Sequence, residues 1–305
     1  MNALLATVLQ LVGVALAPLL PGTIQTLKAR LQGRRGPSPL QPYRTLRRLW
    51  SKSSVAPDGA GVIYRMAPPL VAACALVAIA IVPLAGFSYD LGVGHDVLAL
   101  IGVLALGRFA LAVSAWDTGN GFSLMGAARD VMLAVFAEAL LALTFLVAAL
   151  PAHSTDLGRM ISAAAGVHPW QQIAHWCGAA AFILVVLVET GRQPIDNPDT
   201  HLELTMIHEG PLLEYAGRDL ALLQWSAQAR HWLVLLLGAE LFLPHPLAFP
   251  GALGALALGI VAQCFGLAVI ETAQAKMRTL RAPALLGLGC LVALAGVGTF
   301  VTGVA

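Results

Sequence analysis

Eight long apolar runs divide the chain, at about residues 3–26, 66–87, 97–116, 125–150, 172–189, 220–243, 247–270 and 283–304. Each comes near the roughly 20 residues a helix needs to cross the hydrocarbon core of a bilayer. The runs are continuous rather than alternating, unlike the roughly 10-residue segments of a membrane barrel. The pattern predicts an all-α fold: a polytopic membrane helical bundle of about eight transmembrane helices, in a single membrane domain over 1–305. The first run lacks a basic start and a small-residue cleavage site, and Pro18, Pro21 and a basic stretch follow it. It is expected to be a mature helix and not a signal peptide.

Between the first two runs the pattern changes. Gly33, Gly36, Pro37, Pro39 and Pro42 punctuate the start of the segment, and Tyr43 to Trp50 then read as a short amphipathic helix. Leu46, Leu49 and Trp50 make one face, and Arg44, Arg47 and Arg48 the other. Such a helix lies in the membrane interface with its arginines near lipid phosphates. It serves either as an anchor or as a docking surface for a soluble subunit. The last two runs carry many small residues, among them Gly254, Gly259, Gly289 and Gly296, which let helices approach closely.

Composition agrees with the spans. The chain has 305 residues, 58% hydrophobic and 11% charged, with a mean hydropathy of +0.79, where a soluble domain carries about 25% charge. Nine of its 18 Lys and Arg fall between runs one and two. Lys276, Arg278 and Arg281 follow run seven, whereas the loops on the opposite side hold only Arg159. This asymmetry predicts cytoplasmic loops at about 27–65, 117–124, 190–219 and 271–282, with both termini outside. The net charge of +2 gives no sign of a nucleic-acid partner; the basic loop faces the lipid bilayer. Cys74, Cys177, Cys264 and Cys290 stand singly inside apolar runs without a Cys-x-x-Cys, which excludes an iron–sulfur ligand set and a disulfide framework.

Against this background the carboxylates stand out. Seven of the 16 acids crowd into residues 189–219: Glu189, Asp196, Asp199, Glu203, Glu209, Glu214 and Asp219. Glu138 lies near the middle of run four, where a charge costs on the order of 3 kcal/mol to insert. Asp130 sits eight residues earlier, on the same helix face and roughly 12 Å away along the axis. Two acids so aligned can pass protons through bridging water; a neutral Glu138 bonded to a neighbouring helix is the structural alternative. Arg108 in run three needs an acidic partner on another helix, which the sequence does not name. Glu240 and Glu271, near run ends, are expected to reach the headgroups. Gln224, Gln228, Arg230 and His231 make run six too polar to face lipid. His201 and His208 sit among the acids and suit proton relay. His168 and His175 lack partners at metal-ligand spacing, so no metal site is expected. No dinucleotide fingerprint, phosphate loop or nucleophile elbow is present.

Three groups of motifs resemble one known family. They are Gln32-Gly-Arg-Arg-Gly-Pro-Ser-Pro-Leu-Gln-Pro-Tyr43; Gly119-Asn-Gly-Phe-Ser-Leu-Met-Gly-Ala-Ala-Arg-Asp130 continuing to Glu138; and Glu189-x-x-Arg192-x-Pro194-x-Asp196, with Glu203-Leu204 and Glu214-Tyr-Ala-Gly217. In order and spacing they resemble the heel subunit of respiratory complex I, and more closely its relative in energy-converting hydrogenases and formate hydrogenlyase. The resemblance implies a non-redox subunit of the bacterial cytoplasmic membrane, not an enzyme on its own. Its partners would be hydrogenase-like large and small subunits, iron–sulfur subunits on the cytoplasmic side, and antiporter-like membrane subunits. It implies a proton path through Glu138, Asp130, Glu189, Asp196, Asp199, Glu203, Glu214 and His201. Arg108, Arg129, Arg192 and Arg230 would be charge partners, and Arg34, Arg35, Gln41 and Arg44 would line a docking surface or quinone cavity. His201 takes the place of a family carboxylate, about three residues around Met206 to Glu209 are extra relative to complex I, and the basic loop lacks a longer Gly-Pro repeat. These departures favour the hydrogenase-like branch, in which no cofactor is bound by this chain. A quinone-binding heel subunit and a purely structural scaffold are the alternative readings.

Overall fold

The computed structural model describes residues 2–84, 94–165, 168–197, 206–245 and 250–303. Within them the chain is helical: α1 Asn2–Leu16, α2 Leu19–Leu31, α3 Gln41–Trp50, α4 Val62–Ile81, α5 Val97–Asp117, α6 Gly121–Ala149, α7 Leu157–Ala164, α8 Ile173–Glu189, α9 Gly217–Phe242, α10 Gly251–Ala273 and α11 Ala282–Thr302.

The helix boundaries follow local chemistry. Pro18 breaks the first apolar run, and the two parts, Thr7–Leu16 and Leu19–Leu31, meet at 42°. The second run ends at Ile81 because Val82 turns extended before Pro83. Asp96 accepts the amide of Leu98 and so caps α5, and Asn120 caps α6 through the amide of Phe122. That cap starts α6 four residues ahead of the apolar run. The amphipathic segment forms α3, packed on α2 and α9 with no side chain fully buried.

Eight spans are not reached on length and composition alone. Five described helices qualify, α4, α5, α6, α10 and the α11 region, and the bent α1–α2 pair brings the number to six. The other two expected spans fall on α8, which has 17 residues, and on α9, whose 26 residues include Gln224, Gln228, Arg230 and His231. The polytopic helical class stands, and this is a multi-pass membrane protein.

Helix α9 is the hub. It touches α2, α3, α4, α7, α8 and α10, and Leu233 to Phe242 are buried without interruption. A helix buried on all sides reads as one without a moment, which is how its second half looks in the sequence. Around it, α4 packs on α5, α5 on α6, and α6 and α8 on α11. Gly126 of α6 meets Gly210 so closely that a Cβ on Gly126 would lie 2.6 Å from the Gly210 Cα. This contact holds the 206–215 segment against α6.

Candidate functional site

The site is built where α5, α6, α8 and α9 converge on the turn after α8. Arg108 of α5 is the first anchor. Its Nη2 donates to Glu189 Oε1 at 2.6 Å, and its Nη1 lies 3.6 Å from Glu138 Oε1. The helix of an apolar run thus keeps an arginine because two acids from α6 and α8 neutralise it. The two acids differ: the Glu189 side chain is 2% exposed and that of Glu138 36%.

Asp130, two turns before Glu138 on α6, faces a different partner. His208 Nε2 stands 3.6 Å from Asp130 Oδ1, and His208 Nδ1 lies 3.2 Å from Asp196 Oδ2. Asp196 also accepts from Lys276 Nζ at 2.7 Å and from the backbone amides of Asn197 and His208. Burial alone would raise the Asp196 pKa. The His208 bond and Lys276 outweigh it and hold the carboxyl well below the ordinary aspartate range.

A second buried group lies alongside. Arg192 Nη1 donates to Glu271 Oε1 at 2.9 Å, and Lys28 Nζ of α2 stands 3.2 Å from Glu271 Oε2. Two ion pairs, Arg192–Glu271 and Asp196–Lys276, therefore strap the turn after α8 to the end of α10. The amide of Met277 donates to the Pro194 carbonyl and completes the strap.

Part of this network borders a cavity of about 580 Å³ between α9 and helices α2 to α5. Arg108, Asp130, Arg192, Asp196, His208 and Arg230 line its polar side, and Val71, Ala75, Leu104 and Leu223 its apolar side. Arg192 Nε, Arg230 Nε, His231 Nε2 and Gln228 Oε1 are buried there without a hydrogen-bond partner among the described residues.

The residues singled out in the sequence divide accordingly. Glu138, Asp130, Glu189 and Asp196 come together with Arg108, Arg192 and Arg230. Asp130 and Glu138 are not bonded in line; they engage His208 and Arg108 respectively. Glu214 stands apart, its carboxylate accepting from Asn120 Nδ2 and its carbonyl from the Tyr64 hydroxyl. Among the described residues Arg129 donates to the Met206 carbonyl and not to an acid. Gln41 lines the cavity, whereas Arg34, Arg35 and Arg44 are exposed and do not line it. Asp199, His201 and Glu203 lie outside the described residues. Glu240 and Glu271 do not reach the headgroups: both are buried, Glu271 because Arg192 and Lys28 draw it inward. Lys28, Lys276 and Glu271 are the members that sequence reasoning missed. The signal for them is weak, because each reads as an ordinary charge at a span end. His175 packs among Trp170, Trp176 and Phe242.

Comparison with known proteins gives this arrangement a context. The family model described as NADH dehydrogenase matches residues 3–303. Formate hydrogenlyase subunit 4 of Escherichia coli (strain K12) is 32% identical over 288 residues, 92% of each chain. Hydrogenase-4 component C of the same organism is 36% identical over 234 residues, 75% of this chain and 71% of the relative. Among solved structures, a chain of the membrane-bound sulfane sulfur reductase, an archaeal respiratory membrane complex, superposes with a TM-score of 0.82 over 98% of this chain and 100% of its own, at 18% identity. That likeness concerns the fold.

Proposed function

The chain belongs to the NADH dehydrogenase family, and from that premise we propose that it is the non-redox membrane subunit of a formate hydrogenlyase-like or hydrogenase-like complex. It joins a peripheral electron-transfer arm to proton movement in neighbouring membrane subunits. It sits in the bacterial cytoplasmic membrane as a single domain with both termini outside. Loops 27–65, 117–124, 190–219 and 271–282 face the cytoplasm, where hydrogenase-like large and small subunits and iron–sulfur subunits dock.

The observation that carries this reading is the position of Glu138. A series of buried charges runs from the turn after α8 through Glu189 and Arg108 to a carboxylate near the middle of α6 that is still 36% exposed. An acid open to lipid at that depth costs a few kcal/mol, so intramembrane acids face a protein interior or a watery path. The exposed side of Glu138 therefore suits a second membrane subunit, of antiporter-like chemistry, that covers it and takes up the proton. The test is Glu138→Gln in the assembled complex. Assembly and partner oxidoreductase activity should persist while proton movement is abolished. Full proton translocation in the variant would sink the reading.

The cavity favours a second reading, a quinone-binding heel subunit. Its volume lies within the range of small-molecule sites. The unsatisfied Arg192 Nε, Arg230 Nε and His231 Nε2 would donate to quinone carbonyls beside the apolar wall, and the quinone would supply the electron acceptor. A purified complex that contains quinone and reduces it supports this reading; one with neither property opposes it.

A further inference from the structure

His208 is the group that the path above leaves without a task. Its ring stands between carboxylates from two different elements, Asp196 of the turn after α8 on Nδ1 at 3.2 Å and Asp130 of α6 on Nε2 at 3.6 Å. It also borders the cavity, from which water can reach it. We propose that His208 is the proton carrier to and from Asp130, and that Asp196 is the positioning residue that fixes its ring; this rests on the coupling reading above.

The two contacts have different characters, and the difference assigns the roles. Asp196 is crowded with donors: Lys276 Nζ at 2.7 Å, the Asn197 amide at 2.8 Å, the His208 amide at 3.2 Å and the ring Nδ1. A carboxylate so surrounded stays ionised and acceptor-only. Its bond to Nδ1 therefore places a hydrogen there and turns Nε2 toward Asp130, as a carboxylate sets the tautomer of an imidazole elsewhere. The low pKa of Asp196 accords with a fixed anion that does not itself exchange protons. On the other side, 3.6 Å is beyond hydrogen-bond length, and a small ring movement or one water closes it. That contact can be made and broken. Gly191 leaves the room for the ring, since a Cβ there would come within 3.1 Å of Nδ1.

The transfer balances without electrons or covalent bonds to carbon. Nε2 takes a proton from a hydronium in the cavity, leaving water and an imidazolium whose charge faces ionised Asp196. The Nε2 proton then passes to the Asp130 carboxylate, giving a neutral carboxyl and restoring the Nδ1–H imidazole. Run backwards, the same contacts carry the proton out. Other charges also act on the ring: Glu189 of α8 acts on it directly, and Lys276 beyond α10 acts on it through Asp196.

The test uses the assembled complex in sealed membrane vesicles, with partner turnover and proton movement measured together. His208→Gln should assemble and keep partner turnover while coupled proton movement falls about a hundredfold, the lower range for loss of a positioned acid–base group. His208→Ala should behave likewise, and imidazole should restore proton movement by entering through the cavity, judged against unmutated complex in the same imidazole. A purely structural histidine predicts the reverse: Gln retains function and imidazole restores nothing. Proton movement within about twofold of normal in His208→Gln overturns the proposal, as does an assembled His208→Ala complex that imidazole cannot rescue. Failure of both variants to assemble makes His208 a strap and also overturns it. An unmutated complex that moves no protons refutes the coupling reading instead, and this proposal with it.

Discussion

Replacing Arg108 by methionine removes the cation that Glu189 and Glu138 share, and the structure predicts that the two acids respond unequally. Glu189 is buried against Arg108 with a 2.6 Å bond, and its Oε2 has no other partner among the described residues. With charge centres about 4 Å apart and an effective permittivity near 20, the gross attraction is about 4 kcal/mol. Desolvation of both groups cancels most of that, so the intact pair adds little net stability. Breaking it is another matter, because buried Glu189 then loses its hydrogen bond and is left with the unbonded charge of Arg230. Arg108→Met should cost about 3–5 kcal/mol. Adding Glu189→Leu should return only part of the loss, because it removes the carboxylate that lost its partner but also takes from buried Arg230 an anion that acts on it. Glu138 stands 3.6 Å from Arg108 with its open side at membrane depth, where a neutral amide is less costly than a carboxylate, so Glu138→Gln should cost less than about 1 kcal/mol. The assay is denaturing-detergent titration of the purified chain, followed by tryptophan fluorescence. An Arg108→Met chain within about 1 kcal/mol of the unmutated one would refute the stranded charge at Glu189. So would a Glu138→Gln change as costly as Arg108→Met.

Other outcomes follow from the same geometry. Asp196 has a folded pKa held below its unfolded value of about 3.9. Its contribution to stability is therefore complete above that value and is lost as pH falls below about 4 toward the folded pKa. Unfolding titrations from neutral pH down to about pH 3 should show this decline, and Asp196→Asn should flatten it. Gly126→Ala forces a Cβ against the Gly210 backbone and should cost about 1–3 kcal/mol by overpacking. In the same variant, limited proteolysis should cut the 206–215 segment faster; an unchanged rate would mean that α6 does not hold it.

What the sequence makes legible and what it hides differ in range. A span is a local property: a long apolar run declares itself without reference to the rest of the chain, and the runs match α4, α5, α6, α10 and α11 to within a turn or two. The face of α6 that carries Asp130 and Glu138 is legible for the same reason, since helical periodicity places residues eight apart on one side. Pairing is not local. Arg108 announces that it needs an acid, but its partner lies 81 residues away on α8, and nothing in either segment selects Glu189 from among the 16 acids. The eight-span count is not decided by the same local test, because α8 has 17 residues and α9 buries polar residues against a cavity, so length and hydropathy alone mark five described helices, or six with the bent α1–α2 pair.

The end of α10 shows most clearly how an average rule conceals a site. Counted for topology, Lys276 is one more positive charge on the cytoplasmic side, and Glu271 is a residue near enough to a helix end to escape to water. Either assignment is sound for an isolated helix. In the folded chain the turn after α8 supplies a cation to Glu271 and an anion to Lys276. Both pairs involve residues that the sequence marks, Arg192 and Asp196. The turn that carries Asp196 is thus tied to the end of α10 by both pairs, and the segment that carries His208 is held to α6 at Gly210. On the coupling proposed above, a shift of this turn would reach Asp130 through His208.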